Sequence, residues 1–130
     1  MNTVVIGVGS NIEPMKNVKK AQELIREKME ILKVSRFVDT VPLGGKINQP
    51  DFFNGAFLLS TDLELDELVQ TLKGIENQLG RKSMVDKNGP REIDLDVVTW
   101  NGKIIDKDFY GRDFLRRAVL EIAPDIIDET

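Results

Sequence analysis

The 130-residue chain contains no cysteine and no histidine. The first absence excludes disulfides, thiolate metal centres and a cysteine nucleophile. The second removes the commonest general base and the commonest zinc ligand. Any metal must therefore be held by oxygen atoms. No apolar run approaches transmembrane length, and the first residues lack a basic segment followed by an apolar run. A cytoplasmic protein with no membrane partner is expected. The formal net charge is −4, so no global positive field draws nucleic acid, and any phosphate site must be local. There is no low-complexity segment, linker or internal repeat, and no obligate protein partner is implied. The 41% hydrophobic content is that of an ordinary globular chain. The length suits a single domain, 1–130, with its own core and is short for two.

The most informative stretch is Asn88-Gly89-Pro90-Arg91-Glu92-Ile93-Asp94-Leu95-Asp96-Val97-Val98. Gly89 and Pro90 mark a turn. The following alternation puts Ile93, Leu95 and Val97 on one side of a strand and Asp94 and Asp96 on the other. Two carboxylates side by side on one strand face repel. A hard cation such as Mg²⁺ would remove that repulsion and usually also takes oxygens from a substrate phosphate. Arg91 could grip a phosphate oxygen through its planar fork. A half-buried strand with a merely polar face is the competing reading of the same pattern. Four cations, Arg81, Lys82, Lys87 and Arg91, fall within the eleven residues 81–91, shortly before the acid pair. Beside a metal pair they suggest a polyphosphate clamp; spread over a surface they would mean little.

Thr3 to Val8 reads as a buried first strand. Gly7-Val8-Gly9-Ser10-Asn11 follows, without the third glycine of a dinucleotide fingerprint. It is expected to be a strand-to-helix turn with Asn11 near the helix cap. Pro14 suits a first helical turn, and Met15, Val18, Ala21, Leu24, Ile25 and Met29 carry a helical stripe. Ile31 to Val41 is expected to be a second strand. A loop of about ten residues with two prolines and two glycines separates it from a third strand, Phe52 to Leu59. Asn54 is polar inside that apolar run and must find partners. These could be backbone groups, or the amide-like edge of a heterocycle. Thr61 to Glu64 carries a capping pattern before a second helix with Leu65, Leu68, Leu72, Ile75 and Leu79. Asn101-Gly102 predicts a hairpin back to a short strand, Lys103 to Ile105. Arg112 to Ile122 predicts a last helix, stopped by Pro124. The order β-α-β-β-α-β makes the fold class α+β: a ferredoxin-like antiparallel sheet with helices on one face, plus a short C-terminal strand and helix. Its other face is expected to stay open.

In this order and spacing the chain resembles the 6-hydroxymethyl-7,8-dihydropterin pyrophosphokinase family of folate biosynthesis. The matching pieces are Gly9-Ser10-Asn11, Val41-Pro42-Leu43-Gly44, Gln49-Pro50-Asp51-Phe52-Phe53-Asn54, Ile75-Glu76 with Gly80-Arg81, Gly89-Pro90-Arg91 through Asp96, and Glu121-Ile122-Ala123-Pro124. The resemblance implies Mg-dependent transfer of diphosphate from ATP to the hydroxymethyl oxygen of a reduced pterin, giving AMP. It implies that Asp94 and Asp96 hold two Mg²⁺ ions and that Arg81 and Arg91 bind phosphate; these four form the catalytic set. Asn54 would hydrogen-bond the pterin, Phe114 would stack on it, and Thr40, Leu43 and Phe52 would line its pocket. Lys73 and Arg112 would lie near the nucleotide.

The chain departs from the family pattern in its lid and C-terminus. Asn88 stands where a tryptophan is usual, and Ser83 where a second arginine is usual. Ile105 to Gly111 replaces a Pro-His-rich segment, and the C-terminus is shortened. Lids gate closure and water exclusion. A relative that binds pterin or nucleotide without turnover is therefore the alternative, followed by a ferredoxin-like regulatory domain with no ligand chemistry.

Overall fold

The computed structural model describes residues 1–42, 49–80 and 91–126. Strand β1 (Asn2–Ser10) leads into helix α1 (Pro14–Arg26). Strands β2 (Glu30–Val34), β3 (Val38–Thr40) and β4 (Phe52–Thr61) follow, then helix α2 (Leu65–Gln78) and strand β5 (Asp94–Trp100). A short strand β6 (Lys103–Ile104), a single turn α3 (Asp108–Gly111) and helix α4 (Asp113–Ile122) complete the element order. The sheet runs β2-β4-β1-β5-β6, with β3 also on β4, and every pairing is antiparallel. This is the expected α+β, ferredoxin-like arrangement with its C-terminal addition.

Period-two alternation decides which side each strand residue faces. Val4, Ile6 and Val8 of β1, Phe57 and Leu59 of β4 and Leu95 of β5 meet Val18, Ala21 and Ile25 of α1 and Leu68, Leu72 and Ile75 of α2. Burying each large side chain among these contributes roughly 1.5–3 kcal/mol. The α1 stripe is narrower than its sequence suggests, since Met15 is 73% exposed. Pro14 does occupy the first helical turn. Glu13, not Asn11, is the residue at the cap, in a left-handed conformation with φ 41°.

The capping pattern at Thr61 is also misleading. Thr61 belongs to β4, paired with Asn2. The helix starts three residues later, where the Glu64 N–H donates to the Glu67 carboxylate at 3.0 Å. The second strand is broken in two. β2 ends at the pair Val34–Phe57 and β3 begins at Val38–Asn54, so one extra residue is accommodated between them. The Ser35 hydroxyl bridges the break by accepting the Ala56 N–H at 2.8 Å. Phe37 lies over Gly55, where a Cβ would come within 2.4 Å of the ring.

The second sheet face is not open. Helix α4 packs on it, and Leu115, Ala118, Val119 and Ile122 join Val5, Ala56, Val98 and Phe109 in a second core. At the helix C-terminus the Glu121 carboxylate accepts the Arg36 N–H at 3.1 Å. Asn101 and Gly102 form the expected hairpin turn, with φ 49° and 86°. Among the described residues no helix is long and apolar enough to cross a membrane.

Candidate active site

The part of the second face that α4 leaves uncovered is a cavity of about 470 Å³. Its floor follows from strand register. Gly9 of β1 is paired with Asn54 on one side and Asp94 on the other. Gly7 is paired in the same way with Ala56 and Asp96. The central strand therefore offers bare backbone between β4 and β5. With neighbouring strands about 4.8 Å apart, Asn54 and Asp94 stand about 10 Å apart across it. The glycines are needed for close approach. A Cβ on Gly9 would lie 2.5 Å from Asn54 Oδ1, and one on Gly7 would lie 3.2 Å from Leu115.

At the β4 end, Asn54 Nδ2 donates to the Thr40 hydroxyl, which fixes the amide over Gly9. Thr40 arrives there because β3 pairs it with Phe52. Phe52 from β4 and Phe114 from the start of α4 add two aromatic rings to the walls. At the β5 end, Asp94 and Asp96 point to the same side, as the alternation requires. The Arg91 guanidinium lies 3.7 Å from Asp94, and its side chain is only 11% exposed, so its charge is poorly screened. Arg112 reaches the cavity from the start of α4 and pairs with Asp108 at 3.4 Å.

Two cavity residues, Asp106 and Asp108, were not singled out in the sequence as site residues. They sit in the segment that replaces the Pro-His-rich stretch. Asp106 accepts the Asp108 N–H at 2.9 Å and turns the chain into α3. An acid, one spacer and an acid after a hairpin was the available signal. With them, four carboxylates and two guanidinium groups line the cavity. An anionic ligand needs a cation to enter such a field. Among the described residues no three acidic groups come close enough to hold an ion by themselves. Asp94 and Asp96 fit a hard cation such as Mg²⁺ that keeps water and phosphate oxygens as its other ligands.

Lys73 lies elsewhere, in a second hollow of about 610 Å³ between α2 and β5. Asp96, Asp106 and Asp108 line both spaces, so they form a common wall. Glu76, buried on α2, accepts the Leu95 N–H at 2.7 Å and fixes the strand between the two aspartates. Of the expected site residues, Thr40, Phe52, Asn54, Arg91, Asp94, Asp96, Arg112 and Phe114 meet in the first cavity. Leu43 and Arg81 lie outside the described residues, as do the altered lid positions Ser83 and Asn88.

Such a sheet, with aromatic walls and an amide at one end of the cavity and paired acids with arginine at the other, has the make-up of a phosphate-handling transferase. The comparisons with known proteins make this specific. The family model for 7,8-dihydro-6-hydroxymethylpterin-pyrophosphokinase matches residues 5–124, and the chain belongs to that family. It is 34% identical to the 2-amino-4-hydroxy-6-hydroxymethyldihydropteridine pyrophosphokinase of Aquifex aeolicus, covering 98% of this chain and 84% of that one. The enzyme of the same name from Haemophilus influenzae is 30% identical, over 98% and 85% of the two chains. A folic acid synthesis protein of Dictyostelium discoideum is 32% identical over 99% of this chain, which spans 21% of that longer protein. Its relatives make this chain a pyrophosphokinase, an enzyme of the transferase class.

Proposed function

We propose that the protein transfers the terminal diphosphate of ATP to the hydroxymethyl group of 6-hydroxymethyl-7,8-dihydropterin in a Mg²⁺-dependent reaction, releasing AMP. The observation that carries this reading is the shared register row: Asn54, Gly9 and Asp94 lie side by side across three strands. A flat heterocycle resting over Gly9, with its amide-like edge on Asn54 and Thr40, directs its side arm toward the aspartates. Phe52 and Phe114 offer their faces to the ring. Asp94 and Asp96 would hold Mg²⁺, which supplies charge neutralisation and orientation of the triphosphate.

Arg91 binds phosphate oxygens from the cavity wall. Arg112 does so after leaving Asp108, an exchange that costs little because that pair is partly solvated. Lys73 in the adjoining hollow takes the nucleotide end, and the common wall of Asp96, Asp106 and Asp108 joins the two spaces. Leu43 belongs to the pterin pocket and Arg81 to the phosphate site on the strength of the family resemblance. Transfer of this kind needs placement and charge neutralisation more than a strong protein base, so the absence of histidine is compatible with turnover.

The test is to mix purified protein with ATP, Mg²⁺ and the pterin, and to quantify AMP. AMP that requires both pterin and metal is the expected result. ADP would mean transfer of a single phosphoryl group and overturn the reading. No nucleotide product from a folded sample would favour a relative that binds without turnover.

A further inference from the structure

The buried side chain of Asn11 is not accounted for by the helix that follows it. It is 3% exposed, and the helix cap falls at Glu13. Asn11 stands where β1 stops pairing with both neighbours: the last pair with β5 is Gly9–Asp94, and the last with β4 is Ser10–Phe53. Beyond those pairs its hydrogen bonds continue the hold on both sides. Toward β5, the Asn11 N–H donates to the Arg91 carbonyl at 3.1 Å, and the Arg91 N–H donates to Asn11 Oδ1 at 2.8 Å. Toward β4, Asn11 Nδ2 donates to Gln49 Oε1 at 2.8 Å and to the Pro50 carbonyl at 3.0 Å. Both amide donors and the carbonyl oxygen are thus engaged, each with a different group.

We propose that Asn11 is a positioning residue for the reaction: its amide holds Arg91 at the phosphate end in fixed relation to the segment that feeds the Asn54 floor. The proposal rests on the pyrophosphokinase reading for the role of Arg91. Arg91 precedes the strand and has no ladder of its own, because β5 begins at Asp94. Both of its backbone polar groups are held by Asn11 instead. That backbone anchor sets where the side chain starts from, and its guanidinium lies beside Asp94. On the other side, Pro50 lies two residues before Phe52 and four before Asn54. One side chain therefore links the phosphate arm to the heterocycle floor. Placement errors of about 1 Å cost about 100-fold in rate, so such a link is felt in function before it is felt in folding.

A double-mutant cycle with Arg91→Ala separates this role from a purely structural one. The readouts are affinity for a non-hydrolysable ATP analogue with Mg²⁺ by titration calorimetry, and kcat and KM for AMP formation. Asn11→Ala is expected to weaken nucleotide binding tenfold or more in the wild-type background. In the Arg91→Ala background it should change binding less than twofold, because the group it positions is gone. Equal factors in the two backgrounds, or no effect in either, would overturn the proposal. Asn11→Asp keeps the acceptor for the Arg91 N–H but turns an oxygen toward Gln49 Oε1 and the Pro50 carbonyl in place of the donor, so it should also weaken nucleotide binding tenfold or more; wild-type affinity in this variant would count against the amide link. If Asn11→Ala does not fold, Asn11→Ser is read through the same cycle with the same criteria. Wild-type protein that binds nucleotide but forms no AMP overturns the pyrophosphokinase reading alone, and the binding cycle still decides the role of Asn11. Wild-type protein that binds no nucleotide overturns both.

Discussion

Along β1, Val4, Ile6 and Val8 face α1 and α2, whereas Val5, Gly7 and Gly9 face α4 and the cavity. The same strand fills one side of the sheet and empties the other toward its C-terminal end. On the helical side the neighbouring positions carry Phe57, Leu59 and Leu95, all buried. On the cavity side the neighbours are Asn54, Ala56, Asp94 and Asp96. One side is built by adding volume and the other by withholding it. The first supplies stability; the second leaves bare backbone at the floor of the cavity. The difference predicts that substitutions should divide cleanly by face.

The largest expected effect is on the cavity side. Asp96→Asn should lower AMP formation by at least about 100-fold, the scale of losing one transition-state charge partner, while the melting temperature stays equal or rises. Removing one of two neighbouring acids relieves their repulsion in the unliganded protein. A variant that unfolds yet keeps its specific activity would break the comparison. On the helical side, Leu68→Ala should cost about 2–5 kcal/mol in denaturant unfolding and leave kcat of the folded fraction within twofold. A large change in kcat with unchanged stability would show that the faces are not separable.

Gly9→Ala tests the withheld volume itself. The new methyl would displace Asn54 from Thr40, so pterin affinity should fall about tenfold, or about 1.4 kcal/mol. Stability should change little, because loss of the close fit is partly offset by a less flexible unfolded chain. Unchanged pterin affinity by titration would show that the bare floor is not what the ligand uses. Smallest of all, Met15→Lys should alter stability by no more than about 0.5 kcal/mol in a thermal melt, since Met15 lies outside the core despite its place in the helical stripe. A larger loss would extend the filled side beyond the residues seen to be buried.

The aspartate face, the helical stripes and the order of elements were legible because each depends on local periodicity. The Asp94–Asp96 pair, for example, follows from alternation alone. The misreadings arose where a distant partner overrode a local pattern. Thr61 has the spacing of a cap, yet Asn2, far away in sequence, holds it in the sheet. Ile31 to Val41 alternates as one strand, but Phe37 must turn over Gly55, and its ring meets Phe53 and Phe57. The open face was expected because the last helix has no sequence signal for where it docks. Gly7 and Gly9 read as turn residues; that they are floor positions follows only from register with β4 and β5. The role of Asn11 depends on groups thirty-eight and eighty residues away, which no window of sequence contains.

The central position of β1 also bears on how the molecule is assembled. Its two partners lie far downstream, and the hydrogen bond from the Val5 N–H to the Thr99 hydroxyl spans 94 residues. During synthesis β1 leaves the ribosome well before β4 and much longer before β5. The N–H and C=O groups along both its edges lack their strand partners over that interval, and such edges invite association with other chains. Closing so wide a loop is slow relative to helix formation. The strand that carries the aspartates is thus among the late pieces to dock, and an incompletely folded chain lacks Asp94 and Asp96 in their places even when α1 and α2 have formed.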